Sequence, residues 1–313
     1  MEPSVILIAG PTCSGKSRVA LELAKRFNGA IISADSRQVY RRMDIGTAKP
    51  GIDELAEIQH FCMDNREPGE DYSAAHFEAE ALGAIESIIA NGQLPIVAGG
   101  SGLYLRALID GIEAKAGNDP VYREYLFRIR EQDGNDGLYR LLKEKDPAAA
   151  ASMMPQNYKR VMRALEVQHL TGSSILSFFG LGTNQRPFHF IQYCLCPDRK
   201  VLYSLIEARV DEMIEKGLVA EVQGILEAGY SRQLNALNTV GYKEIIGFLD
   251  GLFSLERAID LIKRNTRRYA KRQFTWFNAD DRFIFLRNES QLPHSVWLGE
   301  VVTKISESLK EGT

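Results

Sequence analysis

The sequence SVILIAGPTCSGKSRVALELAKRF at residues 4–27 decides the fold of this 313-residue chain. It starts with an apolar run of strand length and ends in a helical pattern of apolar residues. The segment between them, GPTCSGKS, fits the spacing G-x-x-x-x-G-K-[ST] of a phosphate-binding loop and stands in the strand-to-helix context that such a loop needs. The alternative is a tight turn without a ligand. We predict a diphosphate or polyphosphate site formed by Gly10, Pro11, Thr12, Cys13, Ser14, Gly15, Lys16 and Ser17.

Short apolar runs alternate with helical patterns on either side of a long helical stretch, which is typical of a parallel sheet with crossover helices. The predicted strands are 4–9, 30–34, 95–98 and 188–196. The predicted helices are 16–27, 72–90, 239–247, 255–277 and helical stretches within 199–228. The stretch 115–186 is charged and shows helical periodicity only. We therefore predict an α/β fold: a P-loop kinase-like parallel sheet with flanking helices (1–114 and 187–313), plus an all-helical insertion domain (115–186).

Overall composition does not indicate a particular partner. The chain has 38 basic and 41 acidic side chains and a net charge of −3, which favours neither a nucleic-acid nor a membrane-surface protein. No apolar stretch reaches the roughly 18 residues of a membrane helix, and the first residues lack the basic segment of a signal peptide. The four cysteines do not have zinc-ligand spacing and are predicted to be buried thiols. We expect a cytoplasmic protein.

One segment is far more basic than the net charge of the chain indicates. Residues 263–272 carry six cations and no acid: Lys263, Arg264, Arg267, Arg268, Lys271 and Arg272. On a helix these positions cover about half of the circumference, and Ala270 and Phe277 fall on the other side. The pattern is consistent with a solvated face or with a surface that binds a phosphate backbone.

Polar residues follow two of the predicted strands. DSRQ at 35–38 and GGSG at 99–102 come to the carboxyl edge of the sheet, where ligands bind in open α/β folds. Neither segment is an apolar run ending in a Walker B carboxylate, so a motor ATPase is disfavoured and a small-molecule transferase is favoured. The alternative for Asp35, taken alone, is a helix cap or a turn residue.

Several ordered segments after the loop carry a family resemblance. They include SADSRQVYRRMDIGTAKP (33–50), PIVAGGSGLYLRAL (95–108), ARVDEMIEKGLVAEV (208–222) and TRRYAKRQFTWF (266–277). Together they resemble the tRNA dimethylallyltransferases, or tRNA isopentenyltransferases, over residues 6–277. The resemblance implies transfer of a dimethylallyl group from dimethylallyl diphosphate to the N6 amine of the adenine immediately 3′ of the anticodon, with release of diphosphate. It also implies that the partners are that donor and a tRNA anticodon stem-loop, and a monomer is expected.

The resemblance assigns roles to individual residues. It implies that Asp35 is the general base, and that Lys16, Ser101 and Arg209 act on the diphosphate together with the loop and a magnesium ion held by Ser17. Read without the family, Arg209 would be a solvated helix charge. The implied tRNA contacts are Asp35, Ser36, Arg37, Gln38, Ser101, Arg123, Lys159, Arg160, Arg163, Gly241, Tyr242, Lys243 and the six cations of residues 263–272.

The chain departs from the family pattern in places. Ser101 replaces the usual Thr but keeps the hydroxyl, and Phe61 stands where a second His is common. The zinc finger of eukaryotic relatives is not present, so a bacterial-type enzyme is expected. Two other readings remain: a relative that prenylates free adenine nucleotides, and an ATP-driven RNA-binding switch. The insertion and the basic segment favour RNA over a free nucleotide.

Overall fold

The structure is a computed structural model, and it describes residues 3–111, 117, 119–178 and 186–311. The chain divides into two compact units, one formed by residues 1–109 and 186–313 and the other by residues 110–185. We call them the sheet unit and the helical unit. The predicted domain boundary at 114–115 lies outside the described residues.

The described residues of the sheet unit form one six-stranded parallel sheet. The strands are β1 (Ser4–Ala9), β2 (Gly29–Ala34), β3 (His60–Phe61), β4 (Leu94–Gly99), β5 (His189–Cys196) and β6 (Ile284–Arg287), in the spatial order β3-β2-β4-β1-β5-β6. Helices cover both faces of such a sheet, so all but the first residue of each central strand, β1 and β4, is buried. The predicted α/β class is confirmed.

The helices follow in chain order, with α5 to α7 in the helical unit. They are α1 (Lys16–Arg26), α2 (Ile52–Glu57), α3 (Ala74–Ala90), α4 (Gly102–Asp110), α5 (Pro120–Lys145), α6 (Pro147–Ala151), α7 (Tyr158–Thr171), α8 (Arg199–Glu215), α9 (Leu218–Glu227), α10 (Tyr242–Leu249), α11 (Leu255–Phe277) and α12 (His294–Glu311). None of the described helices is long and apolar enough to cross a membrane.

Helix ends follow local chemistry. The predicted helix 72–90 begins instead at Ala74, because the Ser73 hydroxyl caps it by accepting the His76 N–H at 3.2 Å. Residues 199–228 form two helices, since Gly217 adopts φ +97° between α8 and α9. The short elements β3, β6, α2 and α4, and the last helix α12, were not predicted. The edge strand β6 has only four residues, and although three of them are apolar, only Leu286 is buried.

Register brings three chain segments together at one edge of the sheet. Ala9 at the end of β1 and Ala34 at the end of β2 both pair with Gly99 of β4. The glycine is required there, because a Cβ on Gly99 would lie 2.1 Å from the Ala34 carbonyl oxygen. The phosphate-loop sequence, Asp35 and Ser101 therefore start from adjacent strand ends.

Each unit has its own apolar core. Leu23 of α1 and Trp297 and Ile305 of α12 pack with the sheet residues Ile6 and Ile8 on one face. The helical unit is held by a separate cluster that includes Leu126, Leu138, Leu142 and Leu165.

Candidate active site

The loop between β1 and α1 has the conformation of an anion cradle. Gly10 and Gly15 adopt φ values of +152° and +89°, and Cys13 is left-handed with φ +63°. A Cβ on Gly10 would lie 2.7 Å from the Ser14 hydroxyl and 3.0 Å from the Leu195 carbonyl oxygen, so only glycine fits. The first turn of α1 has no side-chain cap, which leaves its N–H groups to a ligand.

The buried Ser14 hydroxyl has no hydrogen-bond partner within the described part of the chain. A buried hydroxyl without a partner costs free energy, and a bound anion can accept a hydrogen bond from it.

Two cations face this loop. The Lys16 ammonium donates to the Pro11 carbonyl at 3.2 Å, and Arg209 of α8 approaches the Cys13 sulfur at 3.5 Å. Burial lowers the pKa of Lys16 from its ordinary value of 10.5; the carboxylate of Asp35 opposes this shift and Arg209 adds to it. An anion that enters the loop compensates both positive charges.

A cavity of about 430 Å³ opens beside the loop. Lys16, Ser17 and Arg209 supply its polar groups near the loop, and Leu21 and Ile31 are among its apolar residues. Charged groups therefore gather at one end of a space that also has apolar walls. This arrangement suits an anion with a small apolar substituent.

A second cavity, of about 200 Å³, lies on the other side of Cys13 and Arg209, which line both. Asp35, Ser36 and Arg37 line it. One oxygen of the Asp35 carboxylate accepts the Arg37 N–H at 2.8 Å. Asp35 is half-buried. Arg209 of the anion site lines the same cavity, so both side chains border one space.

Ser101 ties two strand ends together. Its hydroxyl accepts the Ser36 N–H at 3.1 Å, and the phenol of Tyr269 of α11 lies close by. Burial raises the pKa of Tyr269 to about 12, so this phenol is neutral at physiological pH. The structure therefore gives Ser101 a structural role beside Asp35, in addition to the diphosphate contact predicted for it.

Gln38 lies in the larger cavity with its side-chain amide already bonded. Its oxygen accepts from the Ser33 hydroxyl at 2.8 Å, and its nitrogen donates to the Thr47 and Ala48 carbonyls at 3.2 Å. The predicted contact of Gln38 with the tRNA base would have to share these internal bonds. Arg37 likewise donates to the Asn235 carbonyl at 2.8 Å.

The cations of α11 fall into two sets. Lys263 pairs with Asp211 at 2.6 Å and Arg267 with Glu207 at 2.6 Å, and both acids belong to α8. The other four are exposed: Arg264, Arg268, Lys271 and Arg272. We call these four the exposed arc. Two of the six cations predicted to contact tRNA therefore already have acidic partners.

The prediction that Tyr242 contacts tRNA is not supported by the structure. Its side chain is 0% exposed, and its hydroxyl donates to Glu221 at 2.6 Å, so it is a core residue. Gly241 lines the smaller cavity, and its N–H donates to the buried Glu244. Lys243 is exposed, with its ammonium 3.7 Å from the same Glu244 carboxylate.

In the helical unit, two predicted tRNA contacts share one buried carboxylate. Arg123 of α5 and Arg163 of α7 lie 2.8 and 2.6 Å from Glu166, whose side chain is 1% exposed. Lys159 and Arg160 are exposed on the first turn of α7. The carboxylate fixes the two arginines in place, which reduces the charge that they present to an RNA.

The sequence did not reveal the residues that hold the site in place. Gln273 of α11 accepts the Thr12 N–H and donates to the Gly100 carbonyl, both at 2.9 Å, and so joins the phosphate loop to the end of β4. The sequence does contain a sign of this role, because Gln273 is an uncharged polar residue on the apolar face of α11 that carries Ala270 and Phe277. Glu221 and Glu166 gave no comparable signal.

Comparisons with known proteins agree on one family. The model of the IPP transferase family matches residues 38–280. A tRNA dimethylallyltransferase of Trichlorobacter lovleyi is 45% identical over 281 residues, which are 90% of this chain and 92% of the relative. Another, from Acetivibrio thermocellus, is 44% identical over 91% of this chain and 92% of that protein.

Solved structures show the same similarity. The tRNA isopentenylpyrophosphate transferase of Bacillus halodurans superposes with a TM-score of 0.72 at 38% identity, covering 99% of this chain and 98% of the other. A eukaryotic dimethylallyltransferase, solved as it acts on tRNA, gives a TM-score of 0.77 at 31% identity over 92% of this chain and 75% of that protein.

Proposed function

The chain belongs to the IPP transferase family, and from that premise we propose that it transfers a dimethylallyl group from dimethylallyl diphosphate to tRNA. The acceptor is the N6 amine of the adenine immediately 3′ of the anticodon, and diphosphate is released. The observation that carries this proposal is the pair of cavities that meet at Cys13 and Arg209, with an anion cradle in one and Asp35 in the other.

The chemistry of the donor matches the cradle. Breaking the allylic C–O bond leaves a delocalised cation on the five-carbon group and increases the negative charge on diphosphate. Preorganised donors at the leaving group favour that change. The N–H groups of the first turn of α1, Lys16 and Arg209 are such donors, and the Ser14 hydroxyl adds another.

Asp35 is suited to the acceptor side. An aromatic exocyclic amine is a poor nucleophile, and it must lose a proton as the C–N bond forms. A carboxylate within hydrogen-bond reach takes that proton as a general base. Because Asp35 already accepts one backbone N–H, it is held in place in the smaller cavity before the substrate arrives.

Magnesium fits the donor set only as a partner of the diphosphate. The described residues contain no group of three His, Cys, Asp or Glu side chains able to hold an ion. Mg²⁺ commonly uses few protein ligands together with substrate phosphates and water. The exposed Ser17 hydroxyl at the cavity wall would be its protein ligand, and the ion would neutralise charge on the leaving group.

In the sheet unit we propose that the exposed arc on α11 contacts tRNA, and in the helical unit we propose the same role for Lys159 and Arg160. Contacts with phosphates supply affinity, which falls as salt rises. The reacting adenine leaves its stack to enter the smaller cavity, at a cost of about a few kcal/mol. A tRNA substrate also makes the cytoplasm the proposed compartment, and we propose a monomer.

The test supplies labelled dimethylallyl diphosphate and Mg²⁺ with one of three acceptors. These are an anticodon stem-loop, the same stem-loop with inosine in place of the reacting adenosine, and AMP. We expect label in the first acceptor alone, because inosine lacks the N6 amine. Mass analysis of the nucleosides identifies the group and its position. Label in AMP alone would indicate a nucleotide prenyltransferase. In a parallel reaction that also contains ATP, hydrolysis stimulated by the stem-loop without prenyl transfer would indicate an RNA-dependent switch.

A further inference from the structure

One carboxylate on α9 collects four hydrogen bonds. One oxygen of Glu221 accepts the N–H groups of Asp44 at 2.9 Å and Ile45 at 2.7 Å. The other oxygen accepts the Gly46 N–H at 3.1 Å and the Tyr242 hydroxyl at 2.6 Å. Three consecutive backbone donors thus point to a side chain that is distant in sequence, and they leave little freedom to the segment that carries them.

That segment, which we call the 44–50 loop, forms part of the wall of both cavities. Residues 48–50 line the larger cavity, and Gly46 and Thr47 line the smaller one together with Asp35. The Thr47 and Ala48 carbonyls also hold the Gln38 amide. A shift of the loop would therefore change the space around Asp35 and the orientation of Gln38 together.

The loop is closely packed at Gly46 and anchored at Lys49. A Cβ on Gly46 would lie 2.4 Å from a ring carbon of Tyr242 and 2.9 Å from Leu218. The Lys49 ammonium anchors the far end by bonding the Tyr40 carbonyl and the Asp44 carboxylate, both at 2.6 Å, and the Asp64 carboxylate.

We propose that Glu221 is a positioning residue for prenyl transfer: it holds the 44–50 loop in the conformation that shapes the acceptor cavity beside Asp35. The inference rests on the proposed function. It predicts an effect on transfer and little effect on diphosphate affinity, because the phosphate loop, Lys16 and Arg209 are not bonded to Glu221.

Glu221→Gln is the sharpest change. A carboxylate offers two accepting oxygens, whereas an amide offers one and turns its NH₂ group toward donors. At least two of the four bonds are lost while side-chain volume is kept. Tyr242→Phe removes one donor and leaves the three backbone bonds. Glu227→Gln is the matched control, because Glu227 is exposed on the same helix and bonds Gln223.

The experiment measures the single-turnover rate with saturating anticodon stem-loop, and the Kd of inorganic diphosphate, for wild type and each variant. Wild-type transfer is the condition for the test, so its absence refutes the proposed function rather than this inference. We expect Glu221→Gln to lower the rate about tenfold or more, since small misplacements of reacting groups have effects of this size. Tyr242→Phe should lower it less, and Glu227→Gln should have no effect. Diphosphate Kd should stay within about twofold.

A second variant and a structural measurement separate positioning from loss of folding. Gly46→Ala pushes the loop away from Glu221 by steric overlap and should reproduce the rate loss with the carboxylate intact. Amide hydrogen exchange at residues 44–46 should become faster in Glu221→Gln, with unchanged protection in β1 and β4. An unchanged transfer rate in Glu221→Gln overturns the proposal. So does an equal loss of diphosphate affinity, because the carboxylate would then support the whole sheet unit.

Discussion

Gln273 joins the phosphate loop to the end of β4, so its removal should weaken both the fold and diphosphate binding. The side chain is buried, and its two bonds are both 2.9 Å long. Replacement by Leu keeps a similar volume and leaves the Thr12 N–H and the Gly100 carbonyl without this partner.

The magnitude follows from the surroundings of those two groups. Gly100 is buried, so its carbonyl loses its bond without access to water, at about 1–3 kcal/mol. Thr12 is half-buried, and its N–H can turn to water, at about 0.5–1.5 kcal/mol. The free energy of unfolding of the sheet unit should therefore fall by about 1.5–4.5 kcal/mol. The loss at Thr12 loosens the phosphate loop, which diphosphate must then hold in its binding conformation. That part of the free energy corresponds to roughly 2–10-fold weaker diphosphate binding.

Both quantities can be measured on the full chain. Both tryptophans, Trp276 and Trp297, belong to the sheet unit, so their fluorescence during urea unfolding reports that unit alone. Calorimetry with inorganic diphosphate and Mg²⁺ gives the affinity. Gln223→Leu, an exposed glutamine on α9, should change stability by less than about 0.5 kcal/mol. A large stability loss with unchanged diphosphate affinity would refute the reasoning that Gln273 holds the loop in its binding conformation.

Three further predictions concern charge. Asp35→Asn should lower the single-turnover transfer rate about 100-fold with tRNA binding intact, and an unchanged rate would remove Asp35 as the general base. Arg268→Ala should weaken tRNA binding and reduce the salt slope by about one, whereas the double change Arg267→Ala, Glu207→Ala removes a neutral pair and should leave the slope unaltered; salt titrations of binding decide this. Diphosphate affinity should fall as pH rises toward the lowered pKa of Lys16, because the anion favours the ammonium form. The free energy of unfolding of the ligand-free protein should rise with pH between that pKa and 10.5, because the unfolded chain binds more protons there. Calorimetry across pH measures the diphosphate affinity, urea unfolding across pH measures the stability, and Lys16→Arg is the control for each.

The parts of the fold that the sequence predicted are those with a strong local pattern. Strand β1 and helix α1 have apolar runs of the right period around the phosphate-loop spacing, and α11 was predicted with the bounds that it has. Strand β6 was missed although three of its four residues are apolar, because so short an apolar run does not distinguish a strand from other structure. A short edge strand obtains its bonds from a neighbour, here β5, and this pairing is not encoded in its own residues.

The residues of the candidate site also divide into those whose place the sequence predicted correctly and those whose place it did not. Lys16, Asp35 and Arg209 were named from a motif or a family resemblance, and the structure places all three around two adjoining cavities. Tyr242 was named in the same way but is buried, because a motif records that a residue is needed without recording whether it touches the substrate or the core.

Pairing of charges over long sequence separations explains what the sequence could not show. The run of cations at 263–272 suggested a strongly basic surface, yet Arg267 is paired with Glu207, 60 residues earlier. The same holds for Glu221, whose backbone partners lie more than 170 residues away. In each case the acid and its partners come from distant parts of the chain, so tertiary packing rather than local sequence decides the contact. The basic surface is therefore narrower than composition implies. Four exposed cations on α11 are directed to solvent, while the paired ones hold α11 against α8, the helix that also carries Arg209 into the anion site. Two ion pairs thus join α11, the helix proposed to contact tRNA, to α8, which carries Arg209 at the proposed diphosphate site.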